Sequence, residues 1–380
     1  RVAPMMRSDS FDALNRALSE HYTVGRLLGK GSIAKTREGM KKTTSEKVAI
    51  KILPREHPDF SYKSLMNEIE VMKKVDHPGC IRLHDVFEDH KMVYLVEDLS
   101  SGGELFDRVV EMGYFSEKDA SQFTKQIFLA INYLHGLGIT HRDLKPENVL
   151  MKSGNKADLE YNVIQIADFG LSSLKQQVGD SMQTACGTPE YLAPELVAIL
   201  SRRSKEKTYT DKVDVWAVGV ILYVMLCGFH PFYSDNQLKL YMAILNGDFA
   251  FPKPYWDGIR GDTREFIVWL LQTNPAKRPS CDECLNHKWL VDVEALNGEA
   301  ISKDNVAKLD AYNQKRHQKF KKGVHAVIAA NRFAKMLGGA GLPPGGVPLK
   351  KIGDEPNPPP PMLTEPNAID TIEEGGEGGE

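Results

Sequence analysis

The chain has 380 residues, 42% hydrophobic and 26% charged, with a formal net charge of −3. This is the composition of an ordinary soluble globular protein of one large domain with additions, or of two domains. It excludes a strong global pull toward nucleic acid or membrane surfaces, and five cysteines in this length exclude a disulfide scaffold.

Cys281 and Cys284 form one CxxC with no second pair at zinc-like spacing, so reduced thiols in a cytoplasmic, or also nuclear, protein are expected. No signal peptide is visible, and the longest apolar run, Val213 to Gly228, is interrupted and too short to span a bilayer. The chain opens on Arg1, as expected of a fragment or a processed form. Residues 1–21 read as an N-terminal extension with a modest helical pattern at Phe11, Leu14 and Leu18. Alternation through Tyr22–Leu27 and Lys47–Ile52 predicts two strands. Lys63–Val75 carries Leu65, Ile69, Met72 and Val75 at helical period, and Ile81–Val86 and Met92–Val96 read as short strands. From Leu105 the character turns helical, with segments at Glu117–Leu137, Asp214–Cys227, Gln237–Asn246 and Arg264–Leu271, and a last one near Cys281–Trp289. A β-rich small half followed by a helical large half predicts a bilobal α+β fold. Residues 338–380 are Gly/Pro-rich and then acidic, with little to bury, and are expected to be disordered.

The densest set of working groups is His141-Arg142-Asp143-Leu144-Lys145-Pro146-Glu147-Asn148, followed twenty residues later by Asp168-Phe169-Gly170. An Asp that accepts a hydroxyl proton, beside an Asn and an Asp that hold Mg²⁺, is equipment for phosphoryl transfer. Upstream, the run from Leu28 to Thr36 holds Gly29 and Gly31, so backbone N–H groups there can approach phosphates without a Cβ in the way. Its third glycine position is Ala34, and taken alone the run reads equally as a flexible hairpin. Lys51 follows on a strand with apolar neighbours, and a charge in such a place needs an acid or an anion. Glu68, on the first strong helix, is the natural partner, and the pair would hold Lys51 against the α- and β-phosphates of ATP.

With Ala193-Pro194-Glu195, Asp214-Val215-Trp216 and Arg278 before Pro279 added to this set, the chain resembles the eukaryotic protein kinases from about Tyr22 to Leu290. The resemblance implies ATP and Mg²⁺ as cofactors. It implies that Asp143 orients and deprotonates the substrate hydroxyl, that Asn148 and Asp168 hold Mg²⁺, and that Lys145 neutralises the moving phosphoryl group. Thr188 would hydrogen-bond Asp143 and Lys145, Asp214 would brace the catalytic loop, and Arg278 would pair with Glu195. The nucleotide would lie among Leu28, Gly29, Lys30, Gly31, Ser32, Thr36, Lys51, Glu68, Asp98, Ser100 and Glu104. Lys145 and Gly187-Thr188-Pro189-Glu190 imply Ser/Thr specificity. Gly102-Gly103-Glu104-Leu105-Phe106-Asp107-Arg108, Pro231-Phe232-Tyr233, Pro254-Tyr255-Trp256 and Asn286-His287-Lys288-Trp289-Leu290 are most similar to the calcium/calmodulin-dependent kinases. That likeness implies that Glu104 and Glu147 receive a substrate Arg, and so protein substrates with Arg a few residues before the Ser/Thr. Glu104 as a solvated loop acid or a ribose ligand is the other reading. Two positions depart from the pattern. Glu97 stands where an apolar gatekeeper is usual and must be solvated, paired or protonated, which disfavours inhibitors that need an apolar back pocket. Ser201–Lys207 adds basic residues and reads as a solvated loop rather than a docking site or nuclear signal.

Thr184 sits between Asp168 and Ala193 where an activating phosphate from an upstream kinase would lie, with Arg142 as its partner and Ser181 a weaker candidate. Residues 313–337 carry seven Lys or Arg and no acid, whereas eight acids and no base follow Lys351. Phe320, Val324, Val327 and Ile328 fall on one helical face at about 100° per residue, with Phe333 and Leu337 nearly opposite. Two opposed apolar clusters in a basic helix suit a clamp of two lobes, and calcium-loaded calmodulin is the expected partner. In the family it resembles, such a segment also holds the kinase off. A helix packed on the large lobe and a membrane-surface helix are the alternatives. The division expected is therefore a kinase domain over 22–290, an autoinhibitory and calmodulin-binding segment over 291–337, and the tail. A pseudokinase scaffold is disfavoured, because Lys51, Asp143, Asn148 and Asp168 are all present. No D-x-[DN]-x-[DN]-G loop occurs, so calcium would act through a separate protein. No association domain follows the kinase motifs, so a monomer without nucleic-acid or membrane partners is expected.

Overall fold

A computed structural model describes residues 18–321 apart from 32, 59, 114, 170–188, 202, 204–208 and 297. Five antiparallel strands, β1 (Tyr22–Lys30), β2 (Lys35–Lys41), β3 (Lys47–Pro54), β4 (Leu83–Glu88) and β5 (Met92–Asp98), form a sheet in the order β1-β2-β3-β5-β4. Alternation along β3 divides its side chains. Val48 and Ile50 join Leu18, Tyr22, Phe87, Tyr94 and Val96 on the outer face. Ala49, Lys51 and Leu53 take the inner face, where Lys51 lies opposite Leu95, itself fully buried in the main core. Helix α1 (Tyr62–Met72) packs below, burying Leu65, Ile69 and Met72, and starts where the Ser61 side chain accepts from Ser64 N.

The helical half contains α2 (Leu105–Met112), α3 (Glu117–Gly136), α4 (Pro194–Leu200), α5 (Lys212–Cys227), α6 (Gln237–Asn246), α7 (Gly261–Leu270), α8 (Cys281–Leu285), α9 (Lys288–Val291) and α10 (Lys303–Lys321). Every residue of α5 from Val213 to Cys227 is buried, which is why its sequence is apolar all round. A short hairpin, β6 (Val149–Met151) with β7 (Ile164–Ile166), follows Asn148 and precedes Asp168, two of the expected site residues.

The bilobal α+β fold expected from the sequence is therefore present, with three differences. Strand β2 was not anticipated, because Lys35, Arg37 and Lys41 obscure its alternation. The helix expected at Cys281–Trp289 is two, each with its own cap: Ser280 with Glu283 in a capping box, and His287 accepting from Trp289 N. The core does not stop at residue 290, nor does it begin at 22: Leu18, Leu296, Ile301 and Leu309 are all buried. Among the described residues no helix is long and apolar enough to cross a membrane. The expected disordered tail lies outside the described residues.

Candidate active site

Asp214, in the first turn of α5 and almost fully buried, organises the catalytic loop. Its carboxylate accepts from His141 N at 2.9 Å and Arg142 N at 2.8 Å, and meets His135 Nε2 at 2.8 Å. Burial alone would favour the neutral acid. The hydrogen bond and positive field of His135, with His141 and the Arg142 amide, outweigh it and hold the carboxyl below its ordinary range. Arg142 has φ +70° and Asp168 φ +63°, conformations that cost energy for non-glycine residues and gather at functional sites.

The loop delivers its groups to one point. Lys145 Nζ lies 2.6 Å from Asp143 Oδ2, and Asn148 Nδ2 donates to the Asp143 carbonyl at 2.7 Å. Burial would lower the Lys145 pKa, but Asp143, Glu147 and Asp168 together keep it above the usual lysine value. Lys51 Nζ lies 2.7 Å from Glu68 Oε1 and 3.6 Å from Asp168 Oδ1. Burial is again overcome, here by Glu68, then Asp168 and Glu97, so the ammonium stays charged. The expected pairs Lys51–Glu68 and Arg278–Glu195 are both formed, the second bidentate at 2.8 and 2.9 Å.

The residues fit MgATP. Asp168 supplies a carboxylate and Asn148 a carboxamide whose nitrogen is committed to Asp143, leaving its oxygen for a hard cation. At the β1–β2 turn Gly31 N donates to Ala34 O, and a Cβ on Gly29 would meet nothing within 4 Å, so this face is open to phosphates. Thr36 lies opposite both Gly29 and Lys51; Leu28 is partly exposed, and Lys30 ends β1. Asp98 and Ser100 have their side chains tied to the protein itself. Asp98 meets His84 Nε2 at 2.8 Å and accepts from Arg82 N, while Gln165 joins Asp98 to Ser100 at 3.2 and 2.8 Å.

Glu97 lies on the inner face across from Ala49. Burial pushes its carboxyl up to about 7; Lys51 opposes this, and Glu68, Asp168 and Asp98 add to it. The folded protein therefore binds this proton more tightly than the unfolded chain, and stability falls as pH rises from about 4.5 to about 7. Glu97→Gln is expected to raise the melting temperature at pH 8, by on the order of 2 kcal/mol of stability, and to change it little at pH 4.5. Thermal unfolding of both proteins at the two pH values checks this; an equal effect at both sinks it.

Glu104, the N-cap of α2, and Glu147, in the turn Pro146–Asn148, face each other across an intruder. Arg316 of α10, 8% exposed, pairs its Nη1 with Glu104 Oε2 and lies 3.6 Å from Glu147 Oε2. His317 Nε2 is 3.7 Å from Glu104 and 3.6 Å from Asp107. Tyr312 OH lies 2.8 Å from Tyr191 OH and 3.1 Å from His230 Nε2, covering the segment after Thr188-Pro189. Sequence reasoning singled out Glu104 and Glu147 but missed Tyr312, Asn313 and the pairing of Arg316. A basic run reports charge, not which acid it meets. Ser32, Ser181, Thr184, Thr188, Val324, Val327 and Phe333, and the side chain of Phe320, lie outside the described residues. Arg142, expected to face Thr184, donates to Tyr209 OH at 2.7 Å.

A sequence profile of the protein kinase domain matches residues 22–290. The chain is 40% identical over 301 residues to a calcium/calmodulin-dependent protein kinase type 1 of Macrobrachium nipponense, covering 79% of this chain and 82% of that one. It is 40% identical over 284 residues to the human calcium/calmodulin-dependent protein kinase type 1B, covering 75% and 79%. A probable myosin light chain kinase of Dictyostelium discoideum is 41% identical over 276 residues, covering 72% and 68%.

Proposed function

The chain belongs to the protein kinase family and is a Ser/Thr protein kinase that uses ATP and Mg²⁺; from that premise we propose that its own tail holds it off at the substrate site until calcium-loaded calmodulin withdraws it. The observation that carries this is Arg316, a guanidinium buried between Glu104 and Glu147, the two acids expected to receive a substrate arginine. Three acids, Glu104, Asp107 and Glu147, converge there. Burial, with Glu104 adding to it, pushes the Glu147 and Asp107 carboxyls up, while Arg316 pulls both back, joined by His317 at Asp107 and Lys145 at Glu147. A substrate Arg would satisfy the same carboxylates, so tail and substrate compete for one subsite.

Bound MgATP supplies the phosphoryl group and a neutralising cation. The chain's residues do the rest. Lys51, oriented by Glu68, would hold the nucleotide's phosphates, and Asn148 with Asp168 would hold the cation. Asp143 would take the hydroxyl proton of the substrate Ser or Thr, and Lys145, 2.6 Å from its carboxylate, would neutralise the group being transferred. Phosphorylation of Thr184 by an upstream kinase would add a charge that Arg142 could pair with, coupling it to the loop.

Calmodulin as the releasing partner is supported by the relatives' names and by the basic, apolar-studded segment after Lys315. In the full chain, Arg316→Ala is expected to raise basal activity toward an Arg-containing peptide on the order of tenfold, within the usual span of intramolecular coupling. Calcium/calmodulin should raise wild-type activity and add little to the variant. Unchanged basal activity in Arg316→Ala overturns the inhibitory contact; no binding of calcium/calmodulin to the full chain overturns the identity of the partner.

A further inference from the structure

Helix α10 is held in two different ways along its length. Its lead-in from Ala300 and its first half are part of the core. Ile301 N donates to Phe115 O at 2.7 Å, and Ala300 bridges to Ser116. Asn305 is 1% exposed, and its Nδ2 donates to Leu226 O at 3.0 Å and to Tyr255 O at 2.9 Å. Leu226 lies in the last turn of α5, where backbone carbonyls have no partner within the helix, so Asn305 completes that helix end. The helix backbone rests on Gly228, the αL cap of α5. A Cβ there would lie 2.5 Å from Leu309 N and 2.8 Å from Asn305 O. Leu309 is 1% exposed in the main core.

Among the described side chains the second half touches the protein mainly through polar and charged groups, the one apolar contact being the Tyr312 ring, edge-on to Phe106 at 6.1 Å. Tyr312, Asn313, Arg316 and His317 meet Tyr191, Asp107, Glu104 and Glu147. Glu104, Asp107 and Glu147 are carboxylates that can exchange the tail for a substrate cation or water. The first-half contacts have no such exchange, since losing Asn305 strands a buried carbonyl at Leu226 and a part-buried one at Tyr255.

We infer that α10 with its lead-in is two devices joined near Asp310 and Ala311: a seat over residues 301–309 that stays docked as part of the helical half, and a bar from Tyr312 onward that alone leaves when the site opens. This rests on the inhibitory role of Arg316 for its function, though not for its structural division. Activation then costs only the exchangeable contacts, and the kinase body ends near residue 310 rather than 290.

Hydrogen exchange on the full chain separates the two parts. In Arg316→Ala, amides 313–317 are expected to lose protection by about tenfold or more, while amides 305–309 keep theirs and the melting temperature hardly moves. In Asn305→Ala the melting temperature falls and basal activity stays low; Leu309→Val, a milder loss in the same seat, gives the same direction if the first variant does not fold. Protection lost together across 305–317 in Arg316→Ala overturns the division, as does a rise in basal activity in the seat variants equal to that of Arg316→Ala. If the exchange pattern splits but Arg316→Ala has wild-type activity, the division stands and the inhibitory reading fails.

Discussion

Asp143→Asn is expected to lower kcat by about two to four orders of magnitude, the usual worth of a positioned general base. The KM for ATP should stay within a few-fold. An amide keeps the shape of the side chain but cannot take up the hydroxyl proton. It also leaves the supports of the loop in place: Asn148 Nδ2 bonds the Asp143 backbone carbonyl, and Asp214 holds His141 and Arg142 through their amides. Folding should therefore be unchanged, and a melting temperature close to that of the wild type separates lost chemistry from lost structure. Steady-state kinetics with a basic Ser peptide make the measurement. A residual kcat within tenfold of the wild type would show that Asp143 is not the base.

The largest effect on stability is expected from Arg278→Ala, at about 3–5 kcal/mol, the cost of removing one partner of a buried ion pair. The Arg278 side chain is wholly buried. It gives two bonds to Glu195, one to Lys212 O at 2.7 Å and one to Gln272 O at 3.0 Å, and lies 5.1 Å from the Trp216 ring centre. Alanine would leave a carboxylate and two carbonyls without their donor. At this size the loss corresponds to a melting temperature lower by roughly 10 °C. Arg278→Lys should recover little, because an ammonium cannot match the bidentate fork or stack on the indole. Thermal unfolding of both variants checks this, and a shift of a degree or two for Arg278→Ala would refute it.

Both residues were legible in the sequence, and for related reasons. Asp143, Lys145 and Asn148 occupy one short loop, so their proximity needs no knowledge of the fold. Arg278 and Glu195 stand in short motifs 83 positions apart, and their pairing was inferred from a resemblance. Lys51 on a strand of apolar neighbours demanded a counter-charge, and Glu68 on the next helix supplied it at 2.7 Å. Strand β2 was hidden because its charged side chains face water and break the alternation of hydrophobicity. The environment of Glu97 was half visible. Its type and position signalled a misplaced acid, but the upward push on its proton affinity depends on how deeply the cleft buries it.

The sequence by itself determined the machinery: the phosphate turn, Lys51 with Glu68, the loop around Asp143, and the helical and strand segments that carry them. Local spacing and periodicity place the loop groups and the elements, the need of a strand lysine for a counter-charge points to Glu68, and the resemblance to protein kinases supplies the roles. Only the tertiary structure decided what lies between Glu104 and Glu147 and that the buried core runs past residue 290. Arg316 reaches Glu104 across 212 positions, and Asn305 reaches Leu226 across 79. Such contacts are set by which surfaces the packed helices leave uncovered, and neither charge runs nor hydrophobic period record that. A basic tail could have met any acid of the protein; packing against Gly228 and Leu226 brings it to Glu104 and Glu147.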